Sequence, residues 1–445
     1  MGVFMKFLVS LLLVLTGLNS AYAGGCNLEE VKPTQHLASL HLAYKTRQKI
    51  LEIEKEMAAK GQELQVVMVA TPSPRMKKMH VIHDDFSKDL QSYLLDLAAI
   101  SRSDHKDRKR LPILPKSYYD TKNPLEFSHF GFVVKHSHEN PNANTWTTAY
   151  HLLAQCDKSK NRYGMSDILF EPYHEFYWNS DLMKRKKRKF PNAKTLLVVP
   201  SVKIQERLME EFQISGRPGD TLHEPRYNVI ATPYKLQSWR DFRKGKRAEP
   251  IHQLTDMNSN QWLLEVIAAA QKPHGMITTR KQAQDQLWET NYHPSLLRPK
   301  GIMEFNACAV KKGPFGIWDA TNILQCKDQA FKPEFIVQII TAKSMVRYME
   351  KENLLARNDD GTPRVHKIYG DKDLLNALRP LDKLKTKKDK RTGERYKTLP
   401  DIDVIQKVQE AVIGAGLGGD SAETFVRMYL NTNKEIRIRR TNARR

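Results

Sequence analysis

The stretch LEFSHFGFVVKH, residues 125–136, decides how this chain is built. Its side chains follow the period of two that a strand imposes. Phe127, His129, Gly131 and Val133 fall on one face, and Ser128, Phe130, Phe132 and Val134 on the other. Turn residues follow in HSHENPNANT, and WTTAYHLLAQ (146–155) returns to extended character, so the two runs predict a β-hairpin with a long loop. With the turn centred near Asn140, positions whose numbers sum to 280 face each other, which sets His129 opposite His151. Directly opposed residues share a face with β-carbons about 4.5–5.5 Å apart, so two imidazoles become neighbours. His136 and His138 fall in the loop and are expected to face solvent.

Outward from the hairpin, the pattern is that of an α+β chain. Residues 35–60 repeat aliphatic side chains at three- and four-residue steps up to a stop at Gly61, as a surface helix does. QVVMVATPSP (65–74) is a β-branched run halted by prolines, hence a strand. Residues 86–100 read as a helix, and residues 72–124 as an inserted helical lobe with a basic connection at KDRKR. KTLLVVPSVKIQERLMEEF (194–212) passes from a buried strand to a helix beginning near Ser201, RYNVIATPY (226–234) is a short strand, 240–250 a loop, and 334–355 another strand and helix. Past residue 350 the composition turns charged and polar. A basic, partly helical or disordered extension is expected over 351–445, with one apolar helix candidate at 402–417.

Residues 1–23 open with one lysine, continue through the apolar FLVSLLLVLTGL and close on Ala21-Tyr22-Ala23, the pattern of a secretory signal peptide. The apolar run is shorter than the roughly 20 residues that cross a bilayer, and no later segment of the mature chain has that character. Ala23 sits where a lipobox carries a larger aliphatic residue, so lipid attachment at Cys26 is disfavoured. A periplasmic or secreted location follows, and with it an oxidising compartment for Cys26, Cys156, Cys308 and Cys326. Four cysteines allow three pairings. The short separation favours Cys308 with Cys326, leaving Cys26 with Cys156. No group of residues has metal-ligand spacing and no cofactor motif is present, so neither metal nor cofactor is expected. The 72 basic residues exceed the 50 acidic ones by 22, concentrated in runs at 106–110, 183–189, 240–247, 383–395 and 434–445. Such runs attract polyanions, and after export these are anionic envelope polymers or lipids rather than nucleic acid; solvated loops with no dedicated partner fit the runs equally well.

The segment TDMNSNQWLLEVIAAAQ (255–271) supplies the remaining chemistry. Asn258 can cap a helix, Gln261 stands three residues on as in a capping box, and Trp262, Leu263, Val266, Ile267 and Ala270 form the buried stripe. Ser259 then occupies the first turn, where unpaired amides and the positive end of the helix dipole favour an anion. Plain capping by Asn258 and Ser259 would explain both residues as well.

Several of these segments together carry a family resemblance: GGC at 24–26, SHFGFVV, WTTAYHLLAQC, YNVIATPY, NSNQWLLEVIAAAQ and the following AQDQLWETNYHP. Over roughly residues 24–350 the chain resembles the bacterial family called domain of unknown function 2145. That family is similar to circularly permuted papain-fold proteins, relatives of NlpC-like cell-wall peptidases and of lecithin:retinol acyltransferase. The resemblance implies a papain-like core with an antiparallel sheet packed on helices. It also implies that Ser128-His129-Phe130-Gly131 carries the first catalytic histidine, that His151 is its partner, and that the segment from Asn258 to Trp262 carries the nucleophile. Asn258, Asn260, Gln261, Trp262 and Tyr227 are the implied binding residues. The family pattern reads NCNQW, so this chain has serine where cysteine is expected. A thiol, with pKa about 8.5, is readily ionised by an imidazole, whereas a serine hydroxyl must lose its proton to an aligned base during attack.

The implied reaction is acyl transfer or amide hydrolysis, with Ser259 attacking, His129 as base and then acid, and His151 orienting it. A cell-wall peptide, a lipid or another envelope component is the implied substrate. Cys156 is a rival nucleophile, ranked lower because it follows a strand. The competing reading is a catalytically silent envelope-binding module that uses the basic runs, and a nucleic-acid binder ranks third.

Overall fold

The computed structural model describes residues 33–72, 79–82, 119–120, 126–135, 146, 148–154, 166–172, 176–177, 194–215, 220–226, 233–235, 251–255, 257–299, 303–304, 330–331, 337–370, 376, 386–388, 395–397 and 410. The expected signal peptide, the four cysteines, the helices at 86–100 and 402–417, His136, His138, the loop at 240–250 and Tyr227 lie outside them, apart from single residue 410.

Six antiparallel strands form the main sheet: β1 (Val66–Pro72), β2 (Phe127–Val134), β3 (Thr148–Ala154), β4 (Ser166–Pro172), β5 (Lys194–Val198) and β6 (Val365–Tyr369). Their spatial order is β6-β5-β1-β2-β3-β4. A second antiparallel sheet orders Val337–Ile339, Ser295–Pro299, Met79–Ile82 and Tyr119–Asp120. Among the described residues five helices complete the frame: α1 (Pro33–Ala58), α2 (Val202–Ser215), α3 (Ser259–Ala270), α4 (Arg280–Glu289) and α5 (Ala342–Lys351). The fold is α+β.

The period-two pattern of the strands distributes them between two cores. Val67, Val69, Val133, Ala149 and Leu197 point to one face, where Leu42, Ile50, Ile53 and Met57 of α1 cover them. Met68, Ala70, Phe130, Phe132, Val134, Tyr150, Leu152, Leu196 and Val198 point to the other, against Trp262, Leu263, Val266 and Ile267 of α3 and apolar residues of α2, α4 and α5. The helix α1 stops where the glycine demands it. Gly61 takes φ +69, its N–H reaches the Ala58 carbonyl, and Gln62 N–H reaches the Met57 carbonyl, a Schellman closure.

Two sequence expectations change in detail. Phe127 packs with Phe130 and Phe132 instead of sharing a face with Gly131 and Val133. The β1–β2 register moves between Thr71↔His129 and Pro72↔Phe127, so one extra residue, Ser128, forms a bulge that flips its predecessor to the other side. The main sheet also reaches past the boundary drawn at residue 350, because β6 pairs along β5 from Val365↔Val198 to Tyr369↔Lys194.

The approach to α3 is held from beneath by a buried polar group. Glu265 is fully buried and accepts from Arg280 Nε at 2.9 Å, Gln284 Nε2 at 2.8 Å and Gln261 Nε2 at 2.8 Å. The same guanidinium donates to the Gln253 and Leu254 carbonyls, both at 2.8 Å, which fastens the segment leading into α3. Burial pushes the Glu265 carboxyl above the ordinary carboxylate range against the pull of Arg280. Removing one partner of a buried pair strands the other charge. Arg280→Ala is therefore expected to lower unfolding stability by about 3–5 kcal/mol in urea titration; a loss below about 1 kcal/mol, the range of an exposed pair, would contradict this account.

Candidate active site

The β2–β3 ladder runs from Val134↔Thr148 to Phe132↔Tyr150, so facing positions sum to 282 and not 280. Continued at that register, His151 faces Gly131, and His129 is its diagonal neighbour. A shift of two residues preserves the face, which is why the imidazoles still meet. His129 Nε2 lies 2.9 Å from His151 Nδ1, with ring planes at 77°.

Ser259 reaches the pair from the other core. Its helix α3 packs on the Phe132 face, whereas His129 and His151 project from the α1 face; they come together where β2 and β3 have left their common ladder. There His129 Nδ1 lies 2.9 Å from Ser259 Oγ. The result is one continuous chain: Ser259 hydroxyl, His129 imidazole, His151 imidazole. With neutral rings a single proton arrangement makes His129 the acceptor from Ser259. The hydroxyl donates to His129 Nδ1, and His129 Nε2–H donates to His151 Nδ1. His151 is 0% exposed, Ser259 6%, and His129 half-buried, so solvent meets the chain at His129, its middle member.

Local sequence explains the placement of Ser259. Asn258 is the N-cap of α3, its side chain accepting from Gln261 N–H at 2.8 Å. Ser259 and Asn260 follow as the first helical residues, whose N–H groups have no intrahelical acceptor by position. The capping box expected from Gln261 does not form. Its Nε2 donates instead to Glu265 and, at 3.5 Å, to the Gln253 carbonyl. Capping boxes close at α4 and α5, through Thr279 with Gln282 and Thr341 with Ser344.

Asn260 points into the protein. Its Oδ1 accepts from the Phe130 N–H at 3.2 Å, and its Nδ2 donates to the Ile340 carbonyl at 2.9 Å. Trp262 is fully buried, edge-on to Phe132 with ring centroids 6.0 Å apart. Thus Asn258, Asn260, Gln261 and Trp262 surround Ser259 in the sequence, with side chains committed to cap, strap and core.

Phe176, which the sequence reading did not single out, completes the site. Its ring stacks on His129 at 5.4 Å and 24°, and stands perpendicular to His151 at 5.1 Å and 87°. It occupies the space that Gly131 leaves open. A β-carbon on Gly131 would come within 2.8 Å of Phe176 Cε2, 3.1 Å of the Tyr150 carbonyl oxygen and 3.3 Å of the His151 β-carbon. The glycine in the middle of a strand is therefore a packing requirement. Among the described residues no group of histidine, cysteine, aspartate and glutamate is arranged to hold a metal ion. No helix among them is long and apolar enough to cross a membrane.

Residues 114–239 match the family model described as "Uncharacterized protein conserved in bacteria (DUF2145)". The matched segment carries both histidines and Phe176 and ends before Ser259, and it supports the family resemblance drawn from the sequence. No curated protein and no solved structure matches the chain significantly.

Gly131→Ala tests the packing of the histidines. The new methyl meets backbone on one side and a buried ring on the other, so a stability loss of about 1–3 kcal/mol is expected. Broadened or shifted imidazole resonances of His129 and His151 should accompany it in NMR spectra. An unchanged melting temperature with unchanged imidazole signals would contradict the arrangement.

Proposed function

We propose that this chain is an exported amide hydrolase or acyltransferase, with Ser259 as nucleophile, His129 as general base and acid, and His151 as the group that orients His129. The observation that carries the reading is the unbroken chain of 2.9 Å contacts from Ser259 Oγ through His129 to His151. A packing histidine needs one partner for a ring nitrogen; here both nitrogens of His129 are used, one of them on a hydroxyl at a helix start.

The chemistry follows from the geometry. As Oγ bonds to a substrate carbonyl carbon, its proton passes to His129 Nδ1, and the carbonyl π pair moves onto oxygen. The first-turn amides of α3 and its dipole stabilise that developing charge. Collapse expels the amine or alcohol, which takes the proton back from His129 and leaves an acyl ester on Ser259. Water, or a second acceptor hydroxyl or amine, then repeats the sequence in reverse order to release the acyl group. Serine lowers the demand on thiolate chemistry and raises the demand on alignment, and the buried positions of His151, Asn258 and Asn260 supply alignment.

Around this site we place a permuted papain-like core and a periplasmic or secreted location after removal of residues 1–23, with disulfides among the four cysteines. The acyl donor is a cell-wall peptide or a lipid ester or amide. The implied binding residues Asn258, Asn260, Gln261 and Trp262 act by presenting the first turn of α3, and Tyr227 is a further binding residue. The basic runs draw the protein to anionic envelope polymers.

An activated fluorophosphonate probe should label Ser259 and no other residue. His129→Ala should slow labelling by about 10²–10⁴-fold, the usual worth of a positioned base. Ser259→Cys should transfer the reactivity to thiol reagents. Labelling that is absent, or indifferent to His129, rejects the enzyme; if binding to anionic envelope material then falls on neutralising residues 383–395 and 434–445, the protein is a silent binding module.

A further inference from the structure

We propose that Phe176 stabilises the positive charge that His129 acquires during acyl transfer, acting through the face of its ring. This inference rests on the function proposed above and adds to it the residue that sets how well the imidazolium is tolerated.

The argument begins with what His151 can and cannot do. When the Ser259 O–H bond breaks and its proton joins His129 Nδ1, His129 becomes a cation, with Nε2–H still donated to His151 Nδ1. A neutral imidazole offers that proton a lone pair, and it carries no negative charge to balance the cation. In the proposed mechanism the oxyanion is held by the α3 start and not by His151. A second stabilising group close to the His129 ring therefore has direct leverage on the barrier.

Phe176 is placed for this. It is fully buried, and its ring lies against the flat side of His129 at a centroid distance of 5.4 Å, within the roughly 6 Å over which a cation is drawn to an aromatic face. The 24° angle between the planes makes the two rings nearly parallel, in an offset stack. A ring chosen only to fill volume could have met His129 with its positive edge, which would oppose the cation. The placement is also enforced. Gly131 withholds a β-carbon that would fall 2.8 Å from the ring, and neighbouring Tyr177 is tied to α1 through its hydroxyl and Thr46 Oγ1 at 3.2 Å. Since Thr46 Oγ1 donates to the Leu42 carbonyl, Tyr177 is the donor in that pair.

The test replaces Phe176 in the full chain by phenylalanines bearing one, two and three fluorines, which weaken the negative face of the ring at nearly constant shape. The rate of Ser259 labelling by the fluorophosphonate is followed alongside the melting temperature. The rate should fall with each fluorine, by about tenfold across the series, while the melting temperature stays near that of the unmodified protein. Phe176→Leu should fold and label at least as slowly as the trifluoro protein. A flat or rising series in a protein whose Ser259 is labelled overturns this inference and leaves the proposed function standing. Absence of labelling in the unmodified protein removes both.

Discussion

The hydrogen bond from the Phe130 N–H to Asn260 Oδ1 is the contact on which the site depends. Once β2 has parted from β3 its backbone donor needs another acceptor, since a buried N–H left unpaired is costly. The side chain of Asn260 supplies one. Phe130 follows His129 and Asn260 follows Ser259, so joining the second pair fixes the separation of the first. The other end of the same amide donates to the Ile340 carbonyl, just before Thr341 caps α5. One buried carboxamide thus holds a strand, the start of one helix and the entry to another. Aspartate there would present a second oxygen to the Ile340 carbonyl, and alanine would leave both backbone groups without it.

Such an arrangement explains how residues from opposite faces of a sheet share chemistry. In an intact ladder, side chains on one face cannot reach helices on the other. The β2–β3 ladder ends at Phe132↔Tyr150, and beside that end the first turn of α3 meets β2 through the Asn260 side chain. Ladder end, helix capping and strap are consequently one feature seen from three elements. The buried Glu265–Arg280 pair sets the direction from which the chain arrives, by gripping the carbonyls of residues 253 and 254.

Much of this was legible in the sequence, for a reason that also marks its limit. Alternation in FSHFGFVV and TAYHLLA specifies faces, and faces survive a register error of two; His129 and His151 were therefore paired correctly although the hairpin centre was misplaced. Parity says nothing about a bulge, so the flip of Phe127 was invisible. The edge strand β6 was missed because it is only partly covered: VHKIY mixes charged and apolar residues as a half-exposed strand does, and lies amid polar segments. Phe176 was missed because its contact with His129 joins segments far apart in the chain, which no local pattern reports. A signal did exist in Gly131, whose missing side chain in a strand interior announces that some other group approaches there.

Serine at position 259, where the resemblance implies cysteine, changes which physical property would limit the proposed chemistry. A thiolate can exist before substrate arrives, so small errors in the imidazole position are tolerated. A hydroxyl must surrender its proton in the act of attack, which makes the direction of the Oγ to Nδ1 contact part of the barrier. The features around Ser259 bear on direction more than on acidity: a cap that sets the helix start, a strap that spaces it from β2, a second imidazole that holds the ring of the first by its far nitrogen. His151 is fully buried and holds the far nitrogen of His129 at 2.9 Å, which fixes the orientation of the His129 ring.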